Sequence, residues 1–459
     1  MIDPKIFKAY DIRGIYPTEI NEAAIYIIAK AFYTLFCRRL KKNNLTVVVG
    51  GDMRLSTPSL SEQVKKALVD CGVEIIDIGL VSTPTFYFAI RHYNYDCGIQ
   101  ISASHNPKEY NGIKAVMNTP EGLVKIGKNT GMDEIKEIVA SGVFGLPSGK
   151  GKITQKAGVL EDDVTNAFEI IKPGKIKPLT IVADPANAMG STFLNALFAR
   201  LPCKLIRMNF ELDGTFPSHQ ADPLQFDTLK DLQKRVIEEK ADLGIAPDGD
   251  GDRIFFIDEK GEIIPASITT AIIIRELLKK YPGIKVGFDT RYIWSPLKAA
   301  KENDGIPVIT KIGHALITET MHKENLFYAG ESSGHNYWKF AGGAESSIAA
   351  ILTILDTLST ENRTMSQIVE DTRGSYESGE VNFKLNTVEE TTKKIELFKE
   401  KFKDGKISLL DGLSVDYDDW RFNLRASNTE PLLRLNVESK NIELTEKKKI
   451  ELSNMLANK

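Results

Sequence analysis

Leu243-Gly244-Ile245-Ala246-Pro247-Asp248-Gly249-Asp250-Gly251-Asp252-Arg253-Ile254-Phe255-Phe256-Ile257 sets three alternating carboxylates between two short apolar runs. Runs of this length bounded by glycine and charge read as buried strands rather than helices. In an extended loop, residues two apart point the same way, about 7 Å from one another. At an effective dielectric of 20, each neighbouring pair of charges then repels by about 2–3 kcal/mol. A hard, oxygen-loving divalent cation such as Mg²⁺ supplies the missing counter-charge. Asp248, Asp250 and Asp252 are therefore read as metal ligands. A calcium-binding EF-hand loop also opens on acidic residues at alternate positions, and Glu259 falls where its last ligand would be. That loop needs a glycine where Arg253 stands and a helix on either side, so it is rejected.

Outward from the acidic loop, strand and helix signals alternate through most of the chain, which argues for α/β layers. Thr46 to Val49, Ile75 to Ile78, Gly98 to Ile101, Thr180 to Ala183 and Val286 to Phe288 read as buried strands. Between the first two, Pro58 opens a helix whose apolar face carries Leu60, Val64, Ala67 and Leu68 and which Gly72 ends. In each of three stretches an apolar strand ends in Asp and Ser follows close to a helix: Asp52 with Ser56, Asp184 with Ser191, Asp289 with Ser295. This suggests three related α/β domains. The glycine-rich tract from Gly142 to Gly151 and the change of pattern near Arg373-Gly374 mark boundaries. The expected domains are 1–150, 151–258, 259–370 and a smaller α+β domain over 371–459.

Bulk properties narrow the function classes. With 459 residues, 42% of them hydrophobic and 26% charged, the chain can bury sizeable cores and is not a disordered polymer. A net charge of −3 without a basic stripe argues against nucleic acid as a partner. Cys37, Cys71, Cys97 and Cys203 form no close pairs, which fits a reducing cytoplasm. The apolar segment from Ala23 to Phe36 is too short to span a bilayer and carries Lys30, so it reads as a core helix.

Three further stretches offer chemistry. The strand Gly98 to Ile101 runs into Ser102-Ala103-Ser104-His105-Asn106-Pro107, which puts the Ser104 hydroxyl at a strand's carboxyl end, where open α/β sheets place ligands. It could be a nucleophile or a phosphate carrier, although a plain serine-rich turn explains the segment alone. His105 is not read as its base, because adjacent side chains on a strand face opposite ways. Lys114 by itself reads as a surface lysine. Gly330-Glu331-Ser332-Ser333-Gly334-His335 offers donors and acceptors suited to sugar hydroxyls. Arg425-Ala426-Ser427-Asn428-Thr429-Glu430-Pro431 is either an anion cradle or a capped turn before proline.

In order and spacing, Tyr10-Asp11-Ile12-Arg13-Gly14 and the four segments around Ser104, Asp248, Glu331 and Arg425 resemble the motifs of the α-D-phosphohexomutases. Within that superfamily the chain is similar to the bacterial and archaeal phosphomannomutase/phosphoglucomutase branch. The resemblance implies three related α/β domains and a C-terminal α+β phosphate-binding domain around a central cleft. The first would bear a phosphoserine, the second bind metal and the third recognise the sugar. Ser104 would carry phosphate and complete a Mg²⁺ site with Asp248, Asp250 and Asp252. Arg253 would lie beside them, Lys114 and His335 would move protons, and Arg13 and Tyr10 would meet the transferring phosphoryl group. His314, Glu331 and Ser333 would touch the sugar, and Arg425, Ser427, Asn428 and Thr429 the phosphate that stays.

The implied reaction moves a phosphoryl group between C1 and C6 of mannose or glucose phosphates, with a hexose 1,6-bisphosphate as activator. The implied protein is a cytoplasmic monomer or homodimer that meets neither nucleic acid nor membrane. A phosphoglucosamine mutase is the nearest alternative. A Mg²⁺-dependent sugar phosphatase needs only one phosphate grip, and a sugar-phosphate-binding protein needs neither Ser104 nor the Asp triplet.

Overall fold

The computed structural model describes residues 2–147, 149–427 and 431–457. The chain divides into two compact units, Met1–Ile264 with Met321–Lys323 and Ser333–Ser366, and Pro265–Thr320 with Glu324–Ser332 and Gln367–Lys459.

The first unit opens on β1 (Ile12–Ile15), α1 (Glu22–Leu40), β2 (Thr46–Gly51), α2 (Thr57–Asp70), β3 (Glu74–Leu80), α3 (Thr83–His92), β4 (Cys97–Ile101), β5 (Tyr110–Thr119) and β6 (Gly122–Lys125). Asn21 caps α1 by accepting from the Ala24 amide at 3.0 Å. The helix then buries Ile25, Ile28, Phe32 and Phe36 against Val47, Val49 and Ile99 of the sheet. Each such side chain taken from water contributes about 1.5–3 kcal/mol, and this apolar layer holds the sheet rigid behind the site. In α2, the residues read as its apolar face are all buried. β2 runs parallel to β3 and β4, and β5 returns antiparallel between β4 and β1. Lys152–Gln155 continues this sheet alongside β3.

A second sheet in the same unit takes the order Ile263–Ile264, Ile254–Ile257, Leu243–Pro247, Thr180–Ala183, Lys204–Arg207. Leu243–Pro247 is parallel to Thr180–Ala183 and antiparallel to Ile254–Ile257, so the acidic segment is the loop of a hairpin. The hairpin Asn336–Trp338 and Ala344–Glu345 leads into the helix Ser347–Glu361. That helix is buried almost all round, Ala349, Ala350 and Ile354 included.

In the second unit, Lys285–Asp289 lies parallel to both Ile306–Thr310 and Tyr328–Gly330. An antiparallel sheet follows in the order Tyr376–Glu377, Leu432–Ser439, Trp420–Ala426, Leu413–Asp416, Lys406–Ser408. Phe398, Phe402, Phe422, Leu435 and Leu452 form its core, with helices Val388–Lys401 and Ile442–Ala457 packed on it. This is the smaller α+β domain expected from the change of pattern near residue 373.

The faint repeat resolves into a backbone device. At three strand ends the Asp side chain accepts from the amide two residues on: Asp52 from Arg54, Asp184 from Ala186, Asp289 from Arg291. The serines are less regular, since Ser191 and Ser295 lie inside their helices' first turns and not before them.

Candidate active site

Asp248 to Arg253 is a tight turn, not the extended ladder assumed from alternation. Gly251 takes φ +76° and folds the loop back, so the oxygens of Asp248, Asp250 and Asp252 lie within 4.8 Å of one another. All three side chains are buried. Glu259 is elsewhere, accepting from the Ser366 amide at 2.9 Å. The crowding is answered by Lys114, which is buried in the middle of β5 opposite Gln100 and is no surface lysine. Its ammonium donates to Asp250 at 2.5 Å and Asp252 at 2.6 Å.

Electrostatics follow from burial and from these pairs. Burial first, then the charges of Asp252 and Asp250, push the Asp248 carboxyl up. Burial works against ionised Asp252 too, but Lys114 and His335 outweigh it and hold the group well below the usual carboxylate range. Burial opposes a charged Lys114, yet Asp250 and Asp252 outweigh it and keep the ammonium firmly protonated.

Ser104 reaches this loop from the end of β4. Its backbone is left-handed, φ +49°, and its Oγ donates to Asp248 Oδ2 at 2.9 Å. Because the chain turns here instead of continuing as a strand, His105 Nδ1 comes to 3.2 Å of the same Oγ, against the expectation that adjacent side chains would face apart. Burial, then Arg253 and Arg13, push His105 well below its ordinary value, so it stands neutral beside the serine. Gly249 is required under this turn, since a Cβ there would meet the Ser104 carbonyl oxygen at 2.4 Å.

Cations ring the serine. Arg13 on β1 pairs with Asp11 at 2.7 Å and donates to the Ala103 carbonyl at 3.0 Å. Tyr10 is half-buried in the turn before β1. Arg253 lies 4.0 Å from Asp248 and 3.8 Å from Asp222, and its buried Nε and Nη1 make no hydrogen bond among the described residues. Asp250 Oδ1 is likewise buried and unbonded among the described residues. A loop that holds both an unbonded acceptor and unbonded guanidinium donors fits a cation and an oxyanion side by side. Three clustered carboxylates are the oxygen donor set that suits a hard divalent ion. His335 Nε2 lies 3.2 Å from Asp252 and its Nδ1 2.9 Å from Ser333 Oγ.

The sugar-type residues of the third domain divide between the units. Ser333 and His335 belong to the first, while Glu331 and His314 belong to the second. There Glu331 is buried and its Oε1 accepts from Arg291 and from the Gly313 amide, both at 3.2 Å. His314 opens the helix His314–Glu324 immediately after that amide. Arg425 sits on Trp420–Ala426 opposite Arg434, and the Ser427 amide donates to the Leu432 carbonyl at 2.8 Å. Asn428 and Thr429 lie outside the described residues.

Two supports escaped the sequence reading. Thr83, first residue of α3, ties its amide to the Asp250 carbonyl at 2.8 Å and its hydroxyl to Asp250 Oδ2 at 2.6 Å. Arg54 bonds the backbone around Ser104. The parallel between Asp52-Met53-Arg54 and Asp289-Thr290-Arg291 was the available signal for the second.

Four family models match in succession. They are phosphoglucomutase/phosphomannomutase alpha/beta/alpha domain I over residues 4–144, domain II over 161–261, domain III over 266–376, and the C-terminal domain over 380–452. A phosphomannomutase of Vibrio cholerae is 37% identical over 98% of both chains. One from Methanocaldococcus jannaschii is 34% identical over 99% of this chain and 98% of its own. Among solved structures, a phosphoglucomutase/phosphomannomutase family protein of Burkholderia thailandensis superposes with a TM-score of 0.87. It is 27% identical and the match covers 99% of this chain and 98% of that one. Among the described residues no helix is long and apolar enough to cross a membrane.

Proposed function

From a chain that belongs to the phosphoglucomutase/phosphomannomutase family, and so to the phosphohexomutases as an enzyme class, we propose a specific reaction. A phosphoryl group moves reversibly between C1 and C6 of mannose or glucose phosphates, by way of phosphorylated Ser104 and a bound hexose 1,6-bisphosphate. The observation that carries this reading is Ser104 Oγ bonded to Asp248 beside Arg253, whose Nε and Nη1 make no hydrogen bond among the described residues.

Asp248, Asp250 and Asp252 would hold Mg²⁺ with an oxygen of phosphorylated Ser104; when bound, the ion supplies positive charge beside the phosphoryl oxygens. Phosphoryl transfer is chiefly positioning and charge stabilisation, which Arg253 and Arg13 are placed to provide with their guanidinium N–H groups. Tyr10 would flank the same group. His335, set between Ser333 and Asp252, would accept the proton of the attacking sugar hydroxyl. Lys114, held protonated, would donate to the departing Ser104 oxygen, and the roles reverse on the return transfer. His314, Glu331 and Ser333 are assigned to the sugar, the last two to the C3 and C4 hydroxyls. Arg425, Ser427, Asn428 and Thr429 are assigned to the idle phosphate. The working divisions are 1–150 for the phosphoserine, 151–258 for metal, 259–370 for the sugar and 371–459 for the idle phosphate.

The test is a panel of hexose 1-phosphates with Mg²⁺ and a trace of glucose 1,6-bisphosphate. Mannose and glucose differ only at C2, so a site reading C3 and C4 should use both within about 100-fold in kcat/KM, under ~3 kcal/mol. Glucosamine 1-phosphate as the best substrate would move the chain to the phosphoglucosamine branch. Release of free phosphate in place of a 6-phosphate would make it a phosphatase.

A further inference from the structure

We infer that Arg54 is a positioning residue that holds Ser104 in its reactive conformation by gripping the backbone of the Ser104 turn. The inference rests on Ser104 being the phosphate carrier.

A guanidinium has five N–H groups, and all five of Arg54 are used. Nε donates to Asp52 Oδ2 at 3.2 Å. Nη1 donates to the carbonyls of Pro107 at 2.7 Å and Tyr110 at 2.9 Å. Nη2 donates to those of Ser104 at 2.8 Å and Asn106 at 2.6 Å. The side chain is fully buried, and its face lies over the Phe216 ring at 5.2 Å. Asp52, equally buried, is fixed in turn by the Arg54 amide and the Thr57 hydroxyl.

With no N–H left over, Arg54 has nothing to offer a substrate and cannot be a catalytic group. What it supplies is one set of donors shared by the Ser104, Asn106 and Pro107 carbonyls of the turn and the Tyr110 carbonyl at the start of β5. Ser104 needs that support, because a serine at φ +49° is in a conformation that non-glycine residues seldom adopt. Its carbonyl accepts from Arg54 Nη2 and lies where any Cβ on residue 249 would clash with it, and its Oγ is thereby held towards Asp248. Lysine keeps the charge opposite Asp52 but has three donors on a single nitrogen and cannot span four carbonyls.

The measurement is the rate at which saturating glucose 1,6-bisphosphate phosphorylates Ser104, read by intact mass, with KM for a hexose 1-phosphate and the thermal midpoint alongside. Arg54→Lys should remain folded and be phosphorylated about 100-fold more slowly, the scale of a displaced nucleophile, with KM unchanged. Phe216→Leu removes only the ring under the guanidinium, leaves all five N–H bonds in place and should stay within a few-fold of the unaltered protein. A lysine variant phosphorylated at the unaltered rate overturns the inference. If that variant does not fold, a Phe216→Leu protein slowed about 100-fold overturns it, since packing on the ring and not the carbonyl clamp would then be responsible. An unaltered protein that never takes up phosphate on Ser104 would instead overturn the carrier assignment.

Discussion

At the ends of Thr46–Gly51 and Lys285–Asp289 the chain repeats the tripeptide Asp-x-Arg, and the two arginines are put to different uses. Arg54 meets one carboxylate and four backbone carbonyls. Arg291 meets two carboxylates, Asp289 at 3.0 Å and Glu331 at 3.2 Å. Burial disfavours its charge, but the two acids outweigh that and keep it protonated. Backbone acceptors immobilise a turn, whereas a carboxylate acceptor aims a side chain. The same tripeptide thus braces the Ser104 turn in the first domain and the Glu331 carboxylate in the third. The second domain has Ala186 at the arginine position, and there Asp184 is met by His219 and Asn209 instead.

If the first arginine serves chemistry and the third binding, substitutions should separate by kinetic constant. The largest effect belongs to Ser104→Ala, which removes the carrier. A loss of at least about 1,000-fold in kcat is expected, with an adduct of about 80 Da, one phosphoryl group in place of a proton, on the unaltered protein and none on the variant. Activity within a few-fold of the unaltered enzyme would move the carrier to Ser102 or remove the covalent step.

Asp250→Asn should weaken Mg²⁺ binding by about 100-fold, measured by titration, because a hard cation prefers charged oxygens. An unchanged metal requirement would remove Asp250 from the ligand set. Arg425→Ala tests the other half of the comparison. Loss of an Arg–phosphate pair should cost about 2–4 kcal/mol in transition-state binding, roughly 30- to 900-fold in kcat/KM. The loss should be similar in both reaction directions if one cradle holds the idle phosphate on either carbon.

Arg291→Lys bears most directly on the contrast. It should raise KM about 10-fold, ~1.4 kcal/mol, yet leave Ser104 phosphorylation unchanged at saturating bisphosphate. A fall in that rate equal to the one expected for Arg54→Lys would erase the distinction between the two devices.

An effect on stability rather than on kinetics sets Asp52, a buried acid with a cation, against Asp163, a buried acid answered among the described residues by the Thr85 hydroxyl. Burial pushes Asp163 up to about 7, with Thr85 offsetting part of it. A carboxyl raised on folding leaves the protein most stable below its unfolded value, about pH 4, and costs stability as pH climbs towards the folded value. Asp163→Asn should therefore raise the thermal midpoint at pH 8, by about 2 kcal/mol in stability, and the gain should fade as pH drops to 4. A gain that grows on acidification would contradict the assignment.

Much of the site was legible because its chemistry is local in sequence. Three alternating carboxylates call for a cation wherever they fold, and a serine following a buried strand has few places to go. Lys114 was legible only through the resemblance, since its partners are more than a hundred residues away. The repeated Asp-x-Arg tripeptide marked Arg54 but not its partners, and no sequence signal assigned a role to Thr83 or Gly249. Each acts on backbone or on a distant acid, and such partners leave no mark in the neighbouring sequence.

By itself the sequence determined the α/β layering, the three strand-ending aspartates and the acidic hairpin loop, because periodicity, turn glycines and charge repulsion act over a few residues. The tertiary structure alone decided that Ser104 turns left-handed, that His105 faces it, that a buried lysine neutralises the acids and that Arg54 spends every donor on one turn. Those outcomes depend on desolvation, which makes each buried charge and carbonyl seek a partner, and only the folded chain decides which partner is within reach.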